Sequence, residues 1–168
     1  MSMPEQKPGR SKQDYGTPKE FLEAVRKRFN ISDFDWDLAA HEGNHVTHNW
    51  LGRGGRAPDS FEVDWSTLQG RMRGDVHLWL NPEFGNIKPW AAKCAASTRE
   101  SGVAIYFLTP ASVGANWFAE HVWPYARVIA LQGRLSFDGV APFPKDCMLS
   151  VFSTVGRKTF EVWDWRKT

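Results

Sequence analysis

The chain has 168 residues with a formal net charge of +2, 42% hydrophobic and 24% charged, which suits a folded chain with one sizeable core and excludes a disordered one. Its two cysteines, Cys94 and Cys147, exclude a disulfide framework and a four-cysteine zinc site. No signal-peptide pattern and no long apolar run directs it to export or to a membrane, so a soluble, reducing, cytoplasmic setting is expected.

Residues 1–13 are polar and carry no apolar period, so a flexible basic tail is expected, followed by one domain over 14–168. Thr17, with Glu20 three positions on, has the capping-box pattern, and Pro18 falls at a first helical position. Phe21, Leu22, Val25 and Phe29 then share one helical face. Residues 34–38 alternate like a short strand and run into the small Ala39-Ala40. Residues 41–74, rich in Gly, Asn, His and Arg, read as long irregular material, which in a compact domain is usually functional.

A second strand, Val76–Leu80, stops at Asn81-Pro82. A helix is expected from near Pro89 to about Ser101, with Gly102 as its stop. The continuous apolar run 103–108 has the pattern of a strand buried on both faces. A short helix follows Asn116 and stops before Pro124. Residues 128–131, 135–137, 148–152 and 159–163 read as further strands, the later ones close enough in sequence to pair antiparallel. Early alternation followed by a strand cluster predicts an α/β sheet, parallel at its centre with an antiparallel edge. Ligands in such sheets sit outside the strand carboxyl ends, which marks two loops: 37–40 and 81–84.

The second loop, Asn81-Pro82-Glu83-Phe84, has a chemical reading beyond that of a turn. An amide oxygen and a prolyl carbonyl at the end of a strand can together accept both protons of an NH2 group. That turns the nitrogen lone pair toward an electrophile, while an aromatic two positions later stacks on the ring that carries the amine. Charge is uneven around this loop. Residues 29–70 carry two Lys/Arg against seven Asp/Glu, between basic flanks. That arrangement suits a cationic or hydroxyl-rich cofactor beside a phosphate-facing surface, but on charge alone a mixed solvated surface is the better reading.

The motifs Asp14-x-x-Thr17-Pro18, 34–40, 59–65 and 78–84 with Trp90, and then 133–137 and Pro144, occur in one order. Over residues 14–153 this series resembles the phage-type DNA N-6-adenine methyltransferases, which are S-adenosylmethionine-dependent. The resemblance implies a Rossmann-like class I methyltransferase sheet, mostly parallel with antiparallel C-terminal strands. It also implies a double-stranded DNA substrate with the target adenine flipped out, and a phage or prophage role in protection from restriction within the host cytoplasm. Asn81, Pro82 and Phe84 match the Asp/Asn-Pro-Pro-Tyr/Phe catalytic loop of amino methyltransferases. Glu83 departs from it, and a structural or substrate-positioning role is expected there. The chain also lacks a Gly-x-Gly cofactor loop. The resemblance places Tyr15, Thr17 and Pro18 at the methionine end of the cofactor, Asp37 and Asp59 at its ammonium or hydroxyl groups, and Ala39 and Ala40 where the backbone must come close.

Trp50, Arg53 and Arg56 lie in a Gly-rich loop whose composition suits stacking and phosphate contact, and Arg71 and Arg73 precede the catalytic strand. Trp90 suits either substrate contact or packing behind the loop. His41, His45 and His48 lack a fourth ligand and a cysteine pair, so no metal is expected. Cys94 reads as a small core residue. No separate recognition domain fits in this length, so a short or relaxed DNA target is expected. The loop alone leaves cytosine N4, RNA adenine and protein glutamine open as acceptors. Glu83 and the missing glycines also fit a catalytically inactive nucleic-acid-binding relative.

Overall fold

The computed structural model describes residues 16–71, 74–99, 102–139, 141–155 and 158–167. The tail 1–13, Tyr15 and Arg73 lie outside the described residues. The helices are α1 (Lys19–Phe29) and α2 (Lys88–Ser97), and the strands are β1 (Trp36–Asp37), β2 (Val76–Leu80), β3 (Val103–Pro110), β4 (Ala126–Leu131), β5 (Cys147–Phe152) and β6 (Thr159–Trp163). They form one sheet in the order β1-β2-β3-β5-β4-β6.

The sheet is mostly parallel. β1, β2 and β3 pair parallel, β5 runs antiparallel to both β3 and β4, and β6 returns parallel to β4. The reversed strand therefore lies inside the sheet, and the antiparallel edge expected from sequence is corrected to a parallel one. The turn after β4 and the hydrophobicity of β5 explain this: every residue of β5 is buried, which needs a neighbour on each side and cover on both faces. β3, also buried throughout, bears out its reading from the sequence.

The two faces carry separate cores. α1 covers one face with Phe21, Leu22 and Val25, against Trp79, Tyr106, Leu149 and Trp163. α2 and a π-helical segment, Phe118–Val122, cover the other, against Leu78, Leu80, Ile105, Phe107 and Phe152. The alternation of β2 explains the division: Leu78 and Leu80 face α2, and Trp79 faces α1.

Local departures have local causes. α1 begins at Lys19, with Pro18 as its cap: the Pro18 carbonyl accepts from the Phe21 and Leu22 amides, both at 3.1 Å. No side chain caps the helix, so the capping box read at Thr17 does not form. α1 ends at Asn30, which adopts φ 52, a left-handed turn that Asn tolerates. β1 is shorter than 34–38 because the Asp35 carboxylate is diverted to the Arg71 and His77 amides, at 2.8 and 2.9 Å. α2 stops at Ser97, where the Thr98 hydroxyl takes the Cys94 carbonyl at 3.0 Å. Residues 135–137 are not a strand. Leu135 and Phe137 are buried, but Phe137–Gly139 is a 3-10 turn that Gly139 closes at φ 68. Among the described residues of 41–74, the regular structure is two 3-10 turns, Ser60–Glu62 and Trp65–Thr67, and β-bridges that include one pairing Asp37 with Trp50. Among the described residues no helix is long and apolar enough to cross a membrane.

Candidate active site

β1 and β2 run side by side with Asp37 opposite Trp79, so their carboxyl ends deliver 37–40 and 81–84 to the same end of the sheet. Asn81 leaves β2 directly after buried Leu80, and buried Pro82 holds the next position. A residue before proline is confined to extended backbone, which limits where the Asn81 side chain can go. Its Nδ2 donates to the Thr17 hydroxyl at 3.0 Å. Thr17 itself precedes Pro18 at the entry to α1, so sequence positions 64 residues apart meet across this hydrogen bond.

Phe84 packs edge-on against Phe137 and Phe143, with ring centroids 6.1 and 5.5 Å away. The segment 133–137 thus returns to the loop 81–84 through Phe137, though not as a strand. Glu83 is exposed beside them.

Asp37 is buried, 4% exposed, and each carboxylate oxygen accepts one amide: Oδ1 from Ala39 at 3.3 Å and Oδ2 from Val46 at 3.1 Å. Burial pushes its carboxyl up to about 6, while those two amides and the nearby His45 pull it back. The Ala40 amide is taken by the Leu51 carbonyl at 3.0 Å. The small residues at 39–40 thus lie close against the 49–52 segment, and a side chain at Gly52 would run into the Ala40 carbonyl. Between the segment 42–46 and α1 opens a cavity of about 420 Å³, lined by Thr17, Glu23, Arg26, Asn44, His45 and Val46 among others.

The structure therefore brings together Thr17, Pro18, Asp37, Ala39 and Asn81, but not Asp59. The Asp59 carboxylate accepts from the Phe61 amide at 2.8 Å and faces Lys93 on the α2 side of the sheet, away from the cavity against α1. Trp90 packs on Phe61 and Trp65, at 4.3 and 6.2 Å between centroids. Trp50 stacks on His45 at 4.2 Å. Arg53 and Arg56 are exposed, with the Arg56 guanidinium 5.6 Å from the Trp36 ring. The Arg71 guanidinium donates to Thr47 at 2.9 Å and pairs with Asp33 at 3.6 Å. The three loop histidines do not converge: His41 Nδ1 accepts from the Gly43 amide, His45 Nδ1 meets the Thr47 carbonyl, and His48 is exposed. Among the described residues no group of three or more His, Cys, Asp or Glu is placed to hold a metal ion. Cys94 and Cys147 are buried free thiols, and burial raises both.

Asp35 went unremarked in the sequence. Alternation places it on the outside of a half-buried strand, yet it is 9% exposed and ties β1 to the start of β2 and to Arg71. An acidic residue on either side of Trp36, in a strand otherwise apolar, is the signal that both carboxylates have internal work.

A family model described as DNA N-6-adenine-methyltransferase (Dam) matches residues 5–152. The chain belongs to that family. No curated protein matches it. The Dam-family match covers the loop at Asn81 and every strand from β1 to β5, and it ends where β5 ends. β6 and the Trp165–Lys167 turn lie beyond the matched residues and pack on the α1 face through Trp163 and Trp165. The family activity is methylation of the adenine N6 amino group in DNA.

Proposed function

We propose that this chain transfers a methyl group from S-adenosylmethionine to the N6 amino group of a flipped-out adenine in double-stranded DNA, on a Rossmann-like class I sheet. The observation that carries the reading is the Asn81 amide, fixed at one end by Thr17 at the carboxyl end of β2. Its Oδ1 and the Pro82 carbonyl would accept the two amino protons of adenine, leaving the nitrogen lone pair directed at the incoming carbon. Phe84, at the edge of the Phe137–Phe143 pair, would stack on the base. Flipping the base costs about a few kcal/mol of unstacking, which this stacking and the two hydrogen bonds offset.

The residues present fit the cofactor. The cavity against α1 is polar and reaches the loop at Asn81 through Thr17, and the buried Asp37 carboxylate, behind the cavity-lining Val46 whose amide it accepts, would supply negative charge toward an ammonium. Thr17 and Pro18, with the close backbone at Ala39 and Ala40, would hold its methionine part. When bound, S-adenosylmethionine supplies an electrophilic methyl group on a sulfonium centre. Placement of the amine by Asn81 and Pro82 then accounts for most of the rate gain, with no covalent enzyme intermediate.

Exposed Arg53 and Arg56 would meet phosphate, with Trp50 beside them. Glu83, exposed next to Phe84, would help position the substrate. We further propose a short or relaxed target sequence, and a phage or prophage enzyme that works on DNA in the host cytoplasm. Asn81→Ala tests the core of this reading. It should slow methyl transfer to DNA by about a hundredfold to a thousandfold, leaving a residual single-turnover rate, while S-adenosylmethionine affinity, read by calorimetry, stays within about threefold of wild type. Loss of cofactor binding together with turnover would contradict the role given to Asn81.

A further inference from the structure

We infer that Thr17 is a positioning residue for catalysis, holding the Asn81 amide so that its oxygen faces the substrate amine. The inference rests on the methyl-transfer reading and goes beyond the cofactor contact expected for Thr17. An asparagine side chain has an acceptor at one end and two donors at the other, nearly equal in shape. Only the oxygen end serves an NH2 substrate, since a flipped amide would set donor against donor. When the oxygen faces adenine, Nδ2 points the other way and needs an acceptor of its own, because a donor left unmet in a partly buried site is costly. Thr17 Oγ1 is that acceptor, 3.0 Å from Nδ2.

The frame around this contact is stiff on both sides. Asn81-Pro82 and Thr17-Pro18 are each residue-before-proline pairs, which restricts both backbones to extended conformations. The Pro18 carbonyl is held by two amides of α1, and α1 is anchored by buried Phe21 against Trp79, two residues before Asn81. The same short path that anchors the helix therefore sets the distance between Thr17 and Asn81. The capping box that Thr17 and Glu20 suggest does not form, and the hydroxyl serves the catalytic loop instead.

The test compares Thr17→Val, Thr17→Ala and Thr17→Ser in single-turnover methyl transfer to DNA at saturating S-adenosylmethionine, in the wild-type and Asn81→Ala backgrounds. Removing the acceptor should slow transfer about tenfold to a hundredfold, the range of one hydrogen bond lost in a partly buried site. The KM for S-adenosylmethionine should change less than about threefold, and Thr17→Ser, which restores the hydroxyl, should recover the rate. With Asn81 already replaced by Ala, removing the Thr17 hydroxyl should cost less than about threefold more. A wild-type rate in Thr17→Val, a loss confined to KM, or the same fractional loss in both backgrounds would overturn the inference. So would failure of both Thr17→Val and Thr17→Ala to fold, which would make Thr17 a structural residue. Absence of transfer by the wild-type chain is the separate failure of the methyl-transfer reading, seen before any variant is measured.

Discussion

Burial drives the Asp37 carboxyl up from 3.8 to about 6, against the pull of the Ala39 and Val46 amides and of His45, the titratable group facing it. A carboxyl raised on folding holds its proton more tightly in the folded chain. Its contribution to stability is therefore present below about pH 4 and is lost as the pH climbs toward about 6. A bound ammonium would favour the ionised form and pull the value back down, so cofactor binding should release a proton in this window. S-adenosylmethionine affinity, measured by calorimetry across pH, should level off above about pH 6.5 and be about tenfold weaker at pH 5. An affinity flat from pH 5 to 8 would show that Asp37 does not face the cofactor's charge. At this scale the position of Asn81 and Pro82 directly after β2 was legible in the sequence, because the apolar run of the strand ends there. The partners of Asp59, whose carboxylate caps its own 3-10 turn, and of Arg71, whose guanidinium meets Thr47 and Asp33, were not legible, because they are set by tertiary contacts.

The elements easiest to read are those whose apolar pattern is strong and local. β2 and β6 match their expected bounds, and the continuous run at β3 has the two-sided burial it implied. β1 was harder because one of its two ladder residues, Asp37, and the residue before the strand, Asp35, are buried carboxylates, so tertiary hydrogen bonds rather than alternation set its length. The run 135–137 misled for a related reason: Leu135 and Phe137 are buried by the α1-side core while their backbone turns, and the Leu135 carbonyl accepts from the Phe143 amide at 2.7 Å. α1 depends on an aromatic cluster assembled from distant segments. Phe21 is fully buried, with ring centroids 6.4 Å from Trp79, 6.1 Å from Trp163 and 5.3 Å from Trp165. Phe21→Ala should cost about 3–5 kcal/mol in a denaturant titration, and activity at temperatures where the variant stays folded should fall as well, because Thr17 enters through this helix. An unchanged midpoint would mean that the cluster is less tightly coupled than its geometry indicates.

At the scale of the whole fold, five of the six strands among the described residues share one direction, and β1 and β2 put their carboxyl ends together. That topology brings two loops far apart in sequence, 37–40 and 81–84, to one end of the sheet, where the proposed site lies. The irregular segment 41–74 precedes the loop at Asn81, and the proposed short or relaxed target sequence would be read from it. Protection in a restriction-digest panel should accordingly extend over many short or degenerate sites. Protection of one long, defined site would contradict this. The most direct measurement of the central claim is methyl incorporation from labelled S-adenosylmethionine into unmethylated DNA, RNA and protein in parallel, with nucleoside analysis of the product and Asn81→Ala as control. N6-methyladenine in DNA, lost in the control, is the predicted result. Label in RNA or protein alone, or none in any acceptor from a folded, cofactor-binding chain, would contradict it.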